Sequence, residues 1–152
     1  MATLLDELEQ IISALDENEI EYAVCGGLAL TIHGFPRATF DIDILIRAES
    51  LEKVYAVAAS HGYDIRGLDI SFKERAVEIR RVSKIDDEGE VLSLDLLIVT
   101  PQVEEIWQSR QKLVWQGKDL WIVSTAGLIK MKELAGRAKD LIDIDRIKNE
   151  KS

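Results

Sequence analysis

At 152 residues, 47% of them apolar, the chain is long enough for one domain with a substantial core, over residues 1–152. The formal net charge of −9 argues against a broad surface for duplex DNA, because such affinity comes mainly from neutralising phosphates. A single cysteine, Cys25, excludes a disulfide within the chain, and no apolar stretch approaches the about 18 residues of a membrane span. We therefore expect a soluble, cytoplasmic protein without a signal peptide or a membrane association.

The first predicted elements are a helix, a strand and a short helix. Thr3 and Asp6 have the form of a capping box, and apolar residues follow at helical spacing: Leu4, Leu5, Leu8, Ile11, Ile12 and Leu15. A strand at about 21–25 comes next. A glycine pair then leads into a short helix near 27–34.

The middle of the chain predicts a strand at about 40–47, a helix over 50–60 and further strands between 63 and 99. Residues 76–82 alternate in polarity, and residues 91–99 form an apolar run. Because turn-forming residues separate these two segments, we expect them to pair as a hairpin.

The last predicted elements are a short helix over 101–109, a hairpin of 112–115 with 120–123, and one long helix capped by Ser124. The long helix includes residues 128–143. No repeat or linker interrupts the pattern. It is typical of an α/β (α+β) fold, a single domain in which helices flank a mixed β-sheet.

Three aspartates mark the candidate metal site. Asp41 and Asp43 are two residues apart on one predicted strand, so both side chains point to the same face. Asp95 lies inside an apolar run that reads as a buried strand, where an unpaired charge would cost several kcal/mol. If the two strands are neighbours, about 4.8 Å apart, the three carboxylates can share Mg²⁺ ions about 3.5 to 4 Å apart, as in-line phosphoryl displacement requires.

Each carboxylate also has a simpler interpretation. Asp41 and Asp43 could be solvated on an exposed strand face, although the apolar residues around them favour a central strand. Asp95 could form a buried ion pair with Arg80 or Arg81.

Two further segments are candidates for binding phosphate. Gly26 and Gly27 lie between a strand and a helix, where backbone N–H groups can approach an anion; the alternative is a simple tight turn. On the predicted C-terminal helix, Lys132 and Arg137 fall on opposite flanks of the apolar stripe. They are either a solvated surface or, on one flank, a triphosphate contact. His33, isolated at a helix end, is expected to cap or pack, and no histidine or cysteine spacing favours zinc.

The ordered set of Gly26-Gly27, thirteen intervening residues, Asp41-Ile42-Asp43 and a distant Asp95 resembles the nucleotidyltransferase superfamily with the DNA polymerase beta type of fold. The string 26–43 resembles the AbiEii-type branch, which is associated with toxin-antitoxin systems. The C-terminal run also resembles that branch, through Lys132, Arg137, Lys139-Asp140 and Asp143.

Two departures from the family pattern affect the prediction. Gly27 stands where many members have a serine whose hydroxyl donates to phosphate, although paired glycines are common in this branch. Larger toxins of the branch have a second, acceptor-binding domain. Acceptor recognition is therefore expected to depend on a partner or a second copy, or to be absent.

The resemblance implies Mg²⁺-dependent transfer of a nucleoside monophosphate from an NTP to an acceptor hydroxyl, with release of pyrophosphate. It assigns Asp41 and Asp43 as ligands of two Mg²⁺ ions, with Mn²⁺ as the alternative ion. Asp95 completes the catalytic metal site and is a candidate to accept the acceptor's proton.

For the nucleotide, the resemblance implies that Gly26 and Gly27 hold the β- and γ-phosphates while Lys132 neutralises their charge. Arg37 and Thr39 join the nucleotide-binding set by positioning the loop that enters the aspartate strand. We interpret Arg137 and Asp140, the other members of the C-terminal pattern, as a supporting pair.

Two other functional classes stay open. One is a non-catalytic nucleotide-binding or antitoxin-like module, against which the presence of all three aspartates counts. The other is a protein-modifying enzyme, NMPylating or kinase-like, on the same fold. The acceptor is left open among RNA, protein and small molecules, and a cognate toxin or antitoxin or a homodimer is the candidate partner.

Overall fold

The computed structural model describes residues 3–36, 38–72, 76–136 and 138–150. The helices are α1 Leu4–Glu17, α2 Gly26–Ile32, α3 Leu51–Ser60, α4 Glu104–Gln108, α5 Thr125–Ala135 and α6 Ala138–Glu150. The strands are β1 Ala23–Cys25, β2 Asp41–Ile46, β3 Ile65–Arg66, β4 Ile70–Phe72, β5 Val77–Ile85, β6 Val91–Ile98, β7 Gln111–Trp115 and β8 Lys118–Ile122. Short 3₁₀ turns, Ala48–Ser50 and Pro101–Val103, lead into α3 and α4.

The described strands form one mixed sheet in the order β3-β5-β6-β2-β1-β8-β7, with β4 also paired to β5. The pairs β2–β6 and β1–β8 are parallel, and the other pairs are antiparallel. The predicted mixed sheet flanked by helices is confirmed.

Strand β2 is the fourth of the seven strands in the sheet order, and both of its faces are covered. Ile42, Ile44 and Ile46 are completely buried on one face, where apolar side chains of α1 and α3 join the same core. Leu45, on the other face, is also completely buried. This confirms the prediction that the Asp41–Asp43 strand is central, and it leaves the two aspartates at the start of a strand fixed by its own apolar residues.

Local signals in the sequence account for several element ends. The Thr3 hydroxyl accepts a hydrogen bond from the Asp6 N–H at 3.1 Å, and the Asp6 carboxylate accepts one from the Thr3 N–H at 3.0 Å. The predicted capping box is therefore present. The β7–β8 hairpin turns through Gln116 and Gly117, both with positive φ, as a two-residue hairpin turn requires.

The predicted long C-terminal helix is wrong. The chain forms two helices, α5 and α6, because Gly136 takes a left-handed conformation with φ +65° and its N–H bonds to the Lys132 carbonyl. Glycine is strongly favoured at this position beyond a helix end, since it carries no Cβ to clash. The positions of Lys132 and Arg137 on opposite flanks were worked out for one continuous helix, so that prediction does not apply across Gly136.

Among the described residues, none of the helices combines the length and the apolar composition that a membrane span needs.

Candidate active site

Four polar side chains form a row across the sheet. In the observed register Asp43 of β2 pairs with Cys25 of β1 on one side and with Asp95 of β6 on the other. Asp95 in turn pairs with Arg81 of β5. Paired residues of neighbouring strands point to the same face, so the row brings one thiol, two carboxylates and one guanidinium together.

A second row lies one step nearer the start of β2. Asp41 pairs with Ser93, and Ser93 pairs with Ser83. The two serine hydroxyls are 3.1 Å apart and share a hydrogen bond. Because successive rows on one face are two residues apart, Asp41 lies on the same face as Asp43 and Asp95. The structure therefore brings the three predicted aspartates together.

Arg81 is the cation of this cluster. Its Nε donates to Asp95 Oδ1 at 2.7 Å, and its Nη2 donates to Asp95 Oδ2 at 3.0 Å and to Asp41 Oδ2 at 3.3 Å. The hydrogen bonds from Arg81 to Asp95 raise the pKa of the guanidinium, and the charges of Asp95, Asp41 and Asp43 raise it further. Asp95 itself is only 6% exposed.

The ion-pair alternative for Asp95 is thus what the structure contains, with Arg81 as the partner. Arg80 points to the other face and pairs with Asp69 and Glu78. The sequence offered Arg80 and Arg81 as candidates, and the β5–β6 register decides between them by pairing Arg81 with Asp95.

The donor chemistry of the cluster fits a divalent cation. Three carboxylates supply the hard oxygen ligands that Mg²⁺ prefers. In the part of the chain that the structure describes, no three acidic, histidine or cysteine side chains already converge closely enough to hold a metal ion. Instead, the guanidinium of Arg81 lies between Asp41 and Asp95 and balances their negative charge.

The glycine pair is packed against residues of the site. A Cβ added to Gly26, whose φ is +67°, would lie 2.7 Å from Cγ of Asp43. A Cβ on Gly27 would lie 2.7 Å from Oγ1 of Thr39. Close approach therefore requires glycine at both positions. The Thr39 hydroxyl donates to the Asp41 carbonyl at 3.3 Å, so Thr39 ties α2 to the start of β2.

Lys132 reaches the site from α5. It was expected to bind phosphate, and in the structure its side chain contacts Asp140. Its Nζ lies 3.5 Å from Asp140 Oδ1 of α6, and both side chains are buried. We expected Asp140 to support Arg137, through the spacing of one continuous helix. After the break at Gly136, α6 packs against α5, and Asp140 lies beside Lys132. The predicted pairing of Asp140 with Arg137 falls on a residue outside the described part of the chain.

Two predicted nucleotide-binding residues, Arg37 and Arg137, lie outside the described residues. The side chains of Lys139 and Asp143, which belong to the same C-terminal pattern, are also not described. His33 has a structural contact, because its Nε2 lies 2.9 Å from the Val123 carbonyl oxygen and so joins the end of α2 to the segment before α5.

A cavity of about 190 Å³ opens beside the carboxylates. Its polar end contains the cluster together with Lys132 and Asp140. Its apolar wall comes from the sheet and from α5, and includes Leu45, Val77, Ile79, Leu97, Leu128 and Met131. This wall was not predicted from the sequence, because its residues come from one face of three separate strands and from the inner face of a helix.

Cys25 ends the row at β1 and is completely buried. Burial raises the pKa of its thiol well above the usual range, and the nearby charges of Asp43 and Asp95 raise it further. The thiol is therefore protonated at neutral pH, which makes it a packing group rather than a nucleophile.

A model of the uncharacterised nucleotidyltransferase family matches residues 1–131. The matched range contains the glycine pair and the three aspartates, and it ends one residue before Lys132. A comparison with curated proteins gave no match.

Several solved structures share the fold. A proposed nucleotidyltransferase from Thermotoga maritima has 15% sequence identity and a TM-score of 0.62, over 96% of this chain and 92% of that chain. The enzyme ANT(2")-Ia, in complex with adenylyl-2"-tobramycin, has 17% identity and a TM-score of 0.65, over 95% and 87%. The lincosamide antibiotic adenylyltransferase LnuA, with lincomycin bound, has 16% identity and a TM-score of 0.60, over 97% of each chain.

Proposed function

The chain belongs to the uncharacterised nucleotidyltransferase family, and we propose that it is a Mg²⁺-dependent enzyme that transfers a nucleoside monophosphate from an NTP to an acceptor hydroxyl, releasing pyrophosphate. The observation that carries the proposal is the register of β2 and β6, in which Asp43 pairs with Asp95 and Asp41 lies on the same face.

In this proposal Asp41 and Asp43 hold the divalent cations, and Asp95 completes the site and takes up the acceptor's proton. Bound Mg²⁺ would supply Lewis-acid activation of the phosphoryl group and neutralise its charge. The support for these roles is the shared sheet face and the burial of Asp95, which excludes bulk water from one side of the cluster.

The remaining roles follow from what lies against the aspartates. Gly26 and Gly27 offer backbone N–H groups at the start of α2, and Thr39 fixes the loop beside them. Lys132 borders the same cavity, and its positive charge suits a phosphate that displaces Asp140 as its partner. Roles for Arg37 and Arg137 in nucleotide binding stay predictions from the sequence.

The acceptor is the least constrained part of the proposal. An apolar wall beside the carboxylates suits the face of a sugar or ring system rather than an extended charged chain. Two structural neighbours are described with tobramycin adenylylated and with lincomycin bound. Hydroxylated small molecules of this kind are therefore the first acceptors to assay.

The AbiEii-type branch, the toxin-antitoxin association and the cytoplasmic location stay proposals that rest on the sequence resemblance. A protein acceptor, and nucleotide binding without turnover, are the outcomes that would replace small-molecule transfer. Label from an α-³²P NTP added to a cell lysate separates these cases, because it ends on a small molecule, on RNA, on protein or on nothing.

The direct test of the site is calorimetric titration of the four NTPs, each with and without Mg²⁺. It uses the native chain, Asp43→Asn and a matched control, Asp87→Asn, which makes the same change of charge at an exposed turn between β5 and β6. We expect at least one NTP to bind only with Mg²⁺, Asp43→Asn to abolish that binding, and Asp87→Asn to keep it. Well-folded native chain that binds none of the NTPs would contradict the proposal.

A further inference from the structure

Arg81 holds two of the three carboxylates at once. Its bonds to the two oxygens of Asp95 are short, 2.7 and 3.0 Å, and side by side. Its bond to Asp41 is longer, 3.3 Å, and joins side chains that are each about two-fifths exposed. Arginine is suited to such a bidentate contact because its donors form a rigid fork. The Asp41 bond is therefore the one that breaks with least cost.

The position of the guanidinium is significant for cation binding. The Nη2 group donates to Asp95 Oδ2 and to Asp41 Oδ2, so it lies where a cation shared by these two carboxylates would have to bind. The positive charge of the guanidinium would repel a divalent cation at this position, and repulsion at such short range is strong in a partly buried site. Arg81 and a shared cation therefore compete for the same oxygens.

Other charged side chains line the same cavity. Lys132 lies 3.5 Å from Asp140. Glu78 lies at the cavity edge and pairs with Arg80. Arg81 thus donates hydrogen bonds to both Asp41 and Asp95 from a position between them.

We propose that Arg81 is a positioning residue that keeps Asp41 and Asp95 closed to divalent cations until a nucleotide binds. The triphosphate brings negative charge that both the cation and the released guanidinium can share. The contact with Asp41 is given up, and the arginine turns to the phosphates or remains on Asp95 alone. Cation binding and nucleotide binding are thereby coupled. This inference rests on the proposed function, because it takes the three carboxylates as the cation site.

The test measures Mn²⁺ binding by electron paramagnetic resonance, first without nucleotide. Arg81→Gln keeps amide donors near Asp95 but removes the charge, and Arg80→Gln makes the same change one residue away on the opposite face. We expect Arg81→Gln to bind Mn²⁺ about tenfold more tightly than the native chain, the order of change expected for removing one nearby charge. Arg80→Gln should bind as the native chain does.

The second arm repeats the titration with a non-hydrolysable NTP analogue. In the native chain the analogue should increase Mn²⁺ affinity strongly, whereas in Arg81→Gln the increase should be several-fold smaller because the coupling is lost. Equal Mn²⁺ affinity of the folded Arg81→Gln and native chains without nucleotide would overturn the inference and leave the proposed function standing. If neither chain binds Mn²⁺ with or without the analogue, the proposed function itself fails.

NMR of the native chain tests the same inference even if Arg81→Gln does not fold. The Nε–H of Arg81 is held by Asp95 at 2.7 Å and should give a protected NMR signal, assigned by its loss in Arg81→Lys. The lysine keeps the charge but cannot bond both oxygens of Asp95 and Asp41 in the same way. Addition of Mg²⁺ with the analogue should shift or broaden the Arg81 signal. An unchanged signal at saturation would show that the guanidinium does not respond, against the inference.

Discussion

Asp43 lies directly against the backbone of Gly26, at the point where β1 passes into α2. A Cβ on Gly26 would be 2.7 Å from the carboxylate carbon of Asp43 and 2.8 Å from its Cβ. Gly26 also has a φ of +67°, which L side chains rarely adopt. Two separate features therefore require glycine at this position: the positive φ of its backbone and the close packing of the Asp43 side chain against it.

Gly26→Ala is expected to lower the free energy of unfolding by more than the about 1 to 2 kcal/mol that left-handed backbone alone costs. It should also weaken Mg²⁺–NTP binding, because Asp43 is displaced. Urea unfolding and calorimetry measure the two effects. Gly89→Ala is the control, since Gly89 has a φ of +82° but no heavy atom within 4 Å of its added Cβ. Equal losses of stability in the two variants, with nucleotide binding retained in both, would contradict the role assigned to the contact.

The buried pair of Lys132 and Asp140 predicts non-additive effects on stability. Lys132→Met leaves Asp140, only 1% exposed, without its lysine. Removing one partner of a buried ion pair typically costs about 3 to 5 kcal/mol. Asp140→Asn in the same chain removes the remaining charge, so the double variant should be more stable than Lys132→Met alone. Additive losses in a double-mutant cycle, measured by urea unfolding, would show that the two side chains do not depend on each other.

Stability is expected to fall in alkaline solution. Burial raises the pKa of Cys25 above its ordinary value of 9.0 and that of Tyr22 from 10.0 to about 12. Above pH 9 the unfolded chain loses these protons while the folded chain keeps them. The linkage relation then makes the free energy of unfolding decrease as pH rises. Below about pH 8 neither group contributes a slope, because both are almost fully protonated in the folded and in the unfolded chain.

Urea unfolding at pH 7, 8, 9, 10 and 11 measures this decrease. Cys25→Ala should flatten the curve from about pH 8 upward, and Tyr22→Phe should do so from about pH 9 upward. Both variants should keep the native slope between pH 7 and 8, which is the internal control. A native chain whose stability is unchanged up to pH 11 would rule out the proposed linkage.

A second buried charge cluster lies away from the carboxylates and should affect stability alone. Glu7 of α1 accepts from the Tyr63 hydroxyl at 2.7 Å and lies 2.5 Å from Lys84 of β5. Lys84→Met would leave Glu7 buried without its cation and should destabilise the chain by several kcal/mol. Nucleotide affinity, measured below the unfolding transition, should not change.

The matched control for that variant is Lys118→Met. Lys118 lies 3.6 Å from Glu9 in an exposed pair, and such pairs are worth about 0 to 1 kcal/mol. If both lysine variants lose the same stability, burial does not decide the strength of these pairs.

The sequence predicted the fold, and it singled out the three aspartates that the structure places on one face of the sheet, because both follow from local patterns. Alternation placed Asp41 and Asp43 on one face, and an apolar run identified the Asp95 strand. The match to residues 1–131 confirms the nucleotidyltransferase superfamily. The adjacency of β2 and β6 was only a condition in the prediction, since two buried runs do not specify which strands pair.

The parts that were not predicted depend on register or on a single backbone conformation. Arg80 and Arg81 are equal candidates until β5 is aligned with β6, when Arg81 becomes the neighbour of Asp95. The signal for the break after α5 was present, because glycine is common just beyond helix ends. Gly136 was instead interpreted as a helix residue, so the contact between Lys132 and Asp140 was not predicted.

The pairing of β2 with β6 also determines when the site can exist during synthesis. Residues 47–90 lie between these two strands, and Arg81 and Asp95 both follow β2 in the chain. A nascent chain that has released β2 alone presents Asp41 and Asp43 to water, without the guanidinium and without the third carboxylate. Long-range pairing of this kind forms late, because closing a long loop costs entropy before any contact is gained. If the three carboxylates act together as proposed, nucleotide binding would report that β2 and β6 have paired.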